Sequence, residues 1–397
     1  MRYVEEFRDP AMARALIARI GATAEAIGAS PGRPVRIMEI CGGHTHAIFR
    51  FGLDRLLHGG IEFIHGPGCP VCVLPMRRVD EAIAIAGRPG VIFTTFGDAM
   101  RVPGSRTSLM QARAAGADIR MVYSPLDALD LARRFPERDV VFFGIGFETT
   151  APASALAIRQ AAREGLGNFS VFCNHITVPP PIRALLEDPD MRLDGFVGPG
   201  HVSMVIGIRP YDFIPGEFGK PIVVSGFEPL DLLQAVLMVL TQVREGRAEV
   251  ENQYARVVPE HGNPASLAAM AEVFEPRPSF AWRGLGEIDR SGLRIRARYR
   301  DFDAEERFGI GYAAGALPEE AAEGCACGAV MTGRIRPVAC PRYGRGCTPE
   351  TPLGALMVSS EGACAAYWHY AGARGPAEDG GRRAVRGGGR GGRHGPA

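Results

Sequence analysis

Between residues 35 and 230, short apolar runs rich in β-branched and aromatic residues alternate with amphipathic or alanine-rich stretches. Val35–Ile40, Ile61–Ile64, Val91–Phe96, Ile119–Tyr123, Val140–Ile145, Ser170–Cys173, Gly195–Val197 and Ile222–Val224 have strand length and strand composition. Between them Thr45–Leu57, Arg78–Ala86, Pro125–Arg134 and Ala151–Glu164 read as helices. A helix that follows a strand carries the chain back to the end where that strand began, so successive strands run parallel. The pattern predicts an α/β protein: two similar small parallel-sheet domains facing a cleft, followed by a cysteine-rich domain with helices.

The expected division is an N-terminal helix in residues 1–34 packing with the C-terminal domain, α/β domains over 35–137 and 138–229, and a helical, cysteine-rich domain over 230–374. Residues 375–397 form a Gly/Arg-rich tail with almost nothing to bury, expected to be disordered. A weak internal echo supports the two lobes: VRIMEICGGHTHAI and VVFFGIGFETTAPA each set a strand, a glycine turn, a capping threonine and a helix in that order. If the halves are duplicated, their strand-end loops meet where open α/β sheets place ligands.

Composition narrows the class. The net charge is +1 over 397 residues, which gives no field to steer nucleic acid or an acidic membrane. The charged start lacks a secretory pattern, and the apolar run Leu232–Leu240 is interrupted by Gln234, short of the roughly 20 residues of a membrane span. A cytoplasmic protein is expected. There nine cysteines point to metal or redox chemistry rather than to structural disulfides.

Three stretches carry that chemistry. In ICGGHTHAIF, Cys41 ends a strand and begins a helix, where unpaired N–H groups and the helix dipole favour a thiolate. Gly42 and Gly43 leave room beside the sulfur, and His44 and His46 offer proton transfer or a second ligand. In HGPGCPVCVLP, Cys69 and Cys72 have the C-x-x-C spacing of a redox dithiol or of two metal ligands, for which Cys41, His44, His46 or His65 could complete a set. Cys325, Cys327, Cys340, Cys347 and Cys364 lie among glycines and prolines, as in loops that wrap a soft metal, with an iron–sulfur cluster preferred and zinc the alternative. The loops GIGFETTAP, CNHITVPPP and GPGHVSMVIG, with Glu148, His175 and His201, are either plain strand exits or the cleft wall opposite Cys41.

Together CGGHTHAIFR, GPGCPVC, GFETTAP, CNHITVPPP, GPGHVS and CTPE…MVSSEGACAAYWHY resemble the HypD family of [NiFe]-hydrogenase maturation factors, as far as about Tyr370. The resemblance implies a redox-active scaffold, rather than a turnover enzyme, on which the Fe(CN)2CO group is assembled with HypC. Cyanide would come from HypE, where it is carried as a thiocyanate, and the product would pass to the hydrogenase large-subunit precursor, with no nucleic acid or membrane involved and the chain acting as a monomer in a heterocomplex. It implies Cys41 as iron ligand, His44 as an orienting or proton-moving group, and Cys69/Cys72 as a redox pair. Cys325, Cys340, Cys347 and Cys364 would hold a [4Fe-4S] cluster, with Cys327 the alternative to Cys325. An electron relay from cluster through dithiol to Cys41 requires the three sites to share one connected route. The competing classes are a thioredoxin-like thiol oxidoreductase centred on Cys69/Cys72 and a zinc-binding structural adaptor.

Overall fold

The computed structural model describes residues 5–57, 59–312 and 324–371, so the Gly/Arg tail lies outside the described residues. Nine strands form two sheets: β1 (Val35–Glu39), β2 (Ile61–His65), β3 (Val91–Thr95), β4 (Ile119–Met121), β5 (Asp139–Gly146), β6 (Phe169–His175), β7 (Gly195–Pro199), β8 (Ile222–Ser225) and β9 (Val250–Asn252). The first sheet has the order β2-β1-β7-β8-β9 and the second β4-β3-β5-β6. Every pairing in both is parallel, as helical crossovers require. The eight expected strands all occur; β9, the polar triplet Val-Glu-Asn at a sheet edge, has no apolar run to announce it.

The division at 137/138 does not hold. β3 and β4 pair with β5 and β6, while β7 and β8 return to join β1. Hydrophobic period reveals a strand but not the sheet it enters, because pairing is decided by tertiary contacts. Counted along its own strands, each sheet runs second, first, third, fourth, with β9 a fifth strand on the first, so the lobes do share one doubly wound topology. The echo between β1 and β5 nevertheless joins unlike places, since β1 is the first strand of its sheet and β5 the third.

Both faces of each sheet are covered, which is why the strands are near-continuous in apolar residues. On one face of the first sheet Val35, Ile37, Ile61, Val197 and Val223 pack beneath the helices Pro10–Ala26, Gly42–Arg50 and Pro229–Glu245. The expected boundary at 230 is thereby displaced: Pro229–Glu245 belongs to the first sheet, and the N-terminal helix packs on it there through Leu16, Ile20 and Ala24. Asp9 starts that N-terminal helix by accepting the N–H groups of Ala11 and Met12, at 2.7 and 3.0 Å, with Pro10 in the first turn. The opposite face, with Met38, Ile40, Ile64, Phe196, Ile222 and Val224, shares one apolar cluster with Trp282 and the cysteine-rich segment. That segment has little regular structure, mainly the helices Cys327–Met331 and Ala363–Ala371, and the second of these packs against Gly42–Arg50. Among the described residues no helix is long and apolar enough to cross a membrane.

Candidate functional site

Cys41 caps the helix Gly42–Arg50 at the carboxyl end of β1, whose neighbour β7 runs straight into the short helix Gly200–Ile206 that carries His201. β1 and β7 flank the point where the strand order of the first sheet reverses, the usual ligand position of such sheets. A buried carboxylate that the sequence reading overlooked organises this turn. Glu39 accepts the Cys41 N–H at 3.0 Å, the Thr45 hydroxyl, and His65 Nδ1 at 2.8 Å. The only signal was an acidic residue inside the apolar run VRIMEI.

Two expectations about Cys41 are overturned. Its thiol is pushed up to about 12, by burial first, then by Glu361 and Glu39, against a weaker pull from the N–H groups of Gly43 and His44. Free of a cation it is therefore a thiol, not a thiolate, because a short helix start cannot offset lost hydration beside two carboxylates. The glycines do not leave open space either. A side chain on Gly42 would overlap Glu361, one on Gly43 would lie 3.0 Å from the Phe227 ring, and one on Gly68 would overlap the Cys41 backbone. Cys41 is 8% exposed and belongs to none of the four apolar clusters formed by the described residues.

His44 is fully buried, its Nε2 3.0 and 3.2 Å from the carbonyls of Gly226 and Ser225. Burial, the leading cause, lowers it to about 4, so the ring is neutral. Phe227 lies stacked between His44 and His201, at 4.5 and 3.8 Å between ring centres. His46 instead meets the Tyr370 hydroxyl at 3.2 Å and takes no part in this turn's polar contacts among the described residues.

His175 is a core residue rather than cleft wall: it is buried against Ser154, 2.8 Å away, and Phe274. Glu148 is also buried, just past β5, where the Val178 N–H donates to its carboxylate at 3.1 and 3.3 Å. Burial raises it from 4.5 to about 7. Because the folded form binds the proton more tightly, stability is greatest below the unfolded pKa and is lost as pH rises from about 4.5 through about 7. Glu148→Gln is expected to remove this dependence and to stabilise the protein at pH 8 by about 2 kcal/mol, read from urea unfolding at pH 5 and pH 8.

The C-x-x-C pair lies directly over the Cys41 turn, since the Gly42 N–H donates to the Gly68 carbonyl at 3.0 Å. Cys69 and Cys72 are joined as a buried disulfide across the short turn Pro70–Val73. That turn packs on Ala355–Met357, and Met357 lines a small cavity walled by Cys325, Cys327, Cys340, Cys347 and Cys364. Arg283 ties the two regions from the other side: its backbone N–H donates to Val73 O and its guanidinium to Leu74 O, both at 2.8 Å, and its charge favours the Cys325 thiolate. Cys41, the disulfide and the five-thiol cavity thus lie along one contiguous stretch of packed residues. Cys173, the ninth cysteine, is buried in β6 and raised to about 12 by burial, outside this arrangement.

The donor set suits a soft, multi-iron group. Five thiols wall one small cavity, and a side chain at Gly354 would collide with the sulfurs of Cys325 and Cys327, so this wall is kept clear. Those two sulfurs are 3.1 Å apart. Cys364 is raised well above the ordinary thiol range by burial and then by Cys340, Cys347 and Cys325, so crowded sulfurs would ionise only around a compensating cation. Among the described residues no three His, Cys, Asp or Glu side chains converge to hold a single ion.

A doubly wound pair of sheets that brings one strand-end cysteine, a C-x-x-C disulfide and a thiol-walled pocket together defines a cysteine-centred α/β protein, and comparison with known proteins gives its kind. Residues 11–371 match the family HypD, described as the hydrogenase formation hypA family. The chain is 76% identical over 374 residues to the hydrogenase maturation factor HypD of Rhodobacter capsulatus, covering 94% of this chain and 99% of that protein. It is 53% identical over 372 residues to HypD of Escherichia coli strain K12, covering 93% and 98%. The chain belongs to the HypD family of hydrogenase maturation factors.

Proposed function

We propose that the protein is the scaffold on which the Fe(CN)2CO group is assembled with HypC, taking cyanide from HypE for delivery to the large-subunit precursor of a [NiFe] hydrogenase. The observation that carries this reading is the contact of the Cys41 turn with the Cys69–Cys72 turn, itself packed against the five-thiol cavity. Iron is cargo at Cys41, and its charge displaces the thiol proton. Glu39 holds the turn in place through the Cys41 N–H.

Release of cyanide from a carrier thiocyanate consumes two electrons and a proton, giving the carrier thiol and a cyanide ion for iron. The reduced Cys69/Cys72 dithiol supplies both electrons and two protons, one taken up by the carrier thiol and the other released to solvent, and becomes the disulfide seen in the structure. Cys340, Cys347, Cys364 and one of Cys325 or Cys327 would hold a [4Fe-4S] cluster, which when bound supplies the electrons that restore the dithiol. Infrared spectroscopy of the anaerobically isolated complex with HypC tests the reading. Bands of metal-bound cyanide and carbon monoxide are expected, and a complex of the intact protein that supports maturation without such bands overturns it.

A further inference from the structure

A buried imidazole needs partners for both nitrogens, and His44 has them on one side only. Its Nε2 faces two carbonyl oxygens, those of Gly226 and Ser225. Carbonyls only accept, so Nε2 carries the proton and Nδ1 a lone pair, and Nδ1 has no partner among the described residues. Of the two acceptors, the Ser225 carbonyl is held within β8, while that of Gly226, just beyond it, accepts the Ser225 hydroxyl at 2.9 Å and depends further on what holds the Gly226 peptide.

Two supports reach it from one salt bridge. The Gly226 N–H donates to Gln253 Oε1 at 3.1 Å, and Gln253 Nε2 donates to Asp231 Oδ1 at 2.8 Å. Asp231 is fully buried and takes both ends of the Arg256 guanidinium, at 2.8 and 2.6 Å. Gly226 has no room to shift towards it, since a side chain there would overlap the Asp231 carboxylate. Along the second route, Arg256 lies over Phe7 and Tyr254, at 4.0 and 4.5 Å. Tyr254 meets Phe227 edge-on at 6.2 Å, and Phe227 stacks on His44. One route ends on the acceptor of the His44 proton and the other on its ring face.

We propose that Asp231, Gln253 and Arg256 are positioning residues for the maturation site: by fixing the Gly226 carbonyl and the Phe227 ring they hold His44 as the Nε2–H tautomer, with Nδ1 kept as the acceptor beside the Cys41 turn. None of the three belongs to the Cys41 turn, and the buried Asp231 carboxylate has its charge met by the Arg256 guanidinium and the Gln253 amide. The role assigned to the set rests on the reading of Cys41 and His44 as the iron-handling site.

The test uses the full chain with ¹⁵N-labelled histidine and follows the His44 ring by NMR, alongside hydrogenase maturation in cells. In Gln253→Ala the Nε2 proton is expected to exchange about fivefold faster, the equivalent of one neutral hydrogen bond. A minor Nδ1–H signal is expected to appear, and maturation to slow, while amide protection in β7 stays as in the parent. Asp231→Asn, which still offers Gln253 an acceptor, is expected to retain most of the parent His44 signature. Parent-like exchange and tautomer in a folded Gln253→Ala protein overturn the proposal. Full maturation by His44→Phe would instead sink the reading of the site, while the NMR result still decides whether the set fixes the ring.

Discussion

Cys41→Ala is expected to lower hydrogenase maturation by more than about a hundredfold, since in the proposed role the change removes a metal ligand outright and loss of an outer partner alone costs ten- to a hundredfold. The fold is expected to survive. The sulfur lies outside the apolar clusters, among Glu39, Glu361 and Phe227, so its removal costs little packing, about 1 kcal/mol. It also relieves the crowding of a thiol by two carboxylates. Hydrogenase activity in cells lacking the native protein gives the first number and urea unfolding the second. Normal maturation by a stable Cys41→Ala protein would remove iron from this position. The raised thiol adds a second readout: without iron Cys41 should alkylate slowly at pH 8, because burial and the neighbouring carboxylates keep it protonated.

Much of this was legible in the sequence, and what was not has a common cause. β1 through β8 were visible because each is an apolar run between turn residues, and Cys41 stood out because a thiol, two glycines and two histidines crowd one strand exit. Local pattern ends there. The return of β7 and β8 to the first sheet, the capture of Pro229–Glu245 by its face, and the approach of Glu361 to Gly42 across some 300 residues are tertiary facts with no local period. Glu39 was missed because a lone acid in a strand normally reads as its solvent face; only the fold shows three donors converging on it. The expected thiolate at Cys41 failed because the sequence displays the helix start but not the desolvation that outweighs it.

The choice between Cys325 and Cys327 yields the other large effect. Their sulfurs are in contact, and the Cys327 thiol acts on Cys325 as a hydrogen-bond partner, holding it down to about 6, while Cys327 itself rises well above the ordinary range. Cys325 is the less buried of the two, and the Arg283 charge favours its thiolate. Cys325→Ala and Cys364→Ala are each expected to lower bound iron and sulfide more than about tenfold and to abolish the visible absorption of a thiolate-held cluster. Cys327→Ala should keep both near the parent level, since on the proposed reading the less buried Cys325, beside the Arg283 charge, is the fourth ligand. On the proposed reading a cluster organises the loops of 324–371, so the first two variants should also be cut faster there by protease than the third. A colourless Cys327→Ala protein beside a coloured Cys325→Ala would exchange the two roles, and unchanged colour in Cys364→Ala would remove the cluster from this cavity altogether.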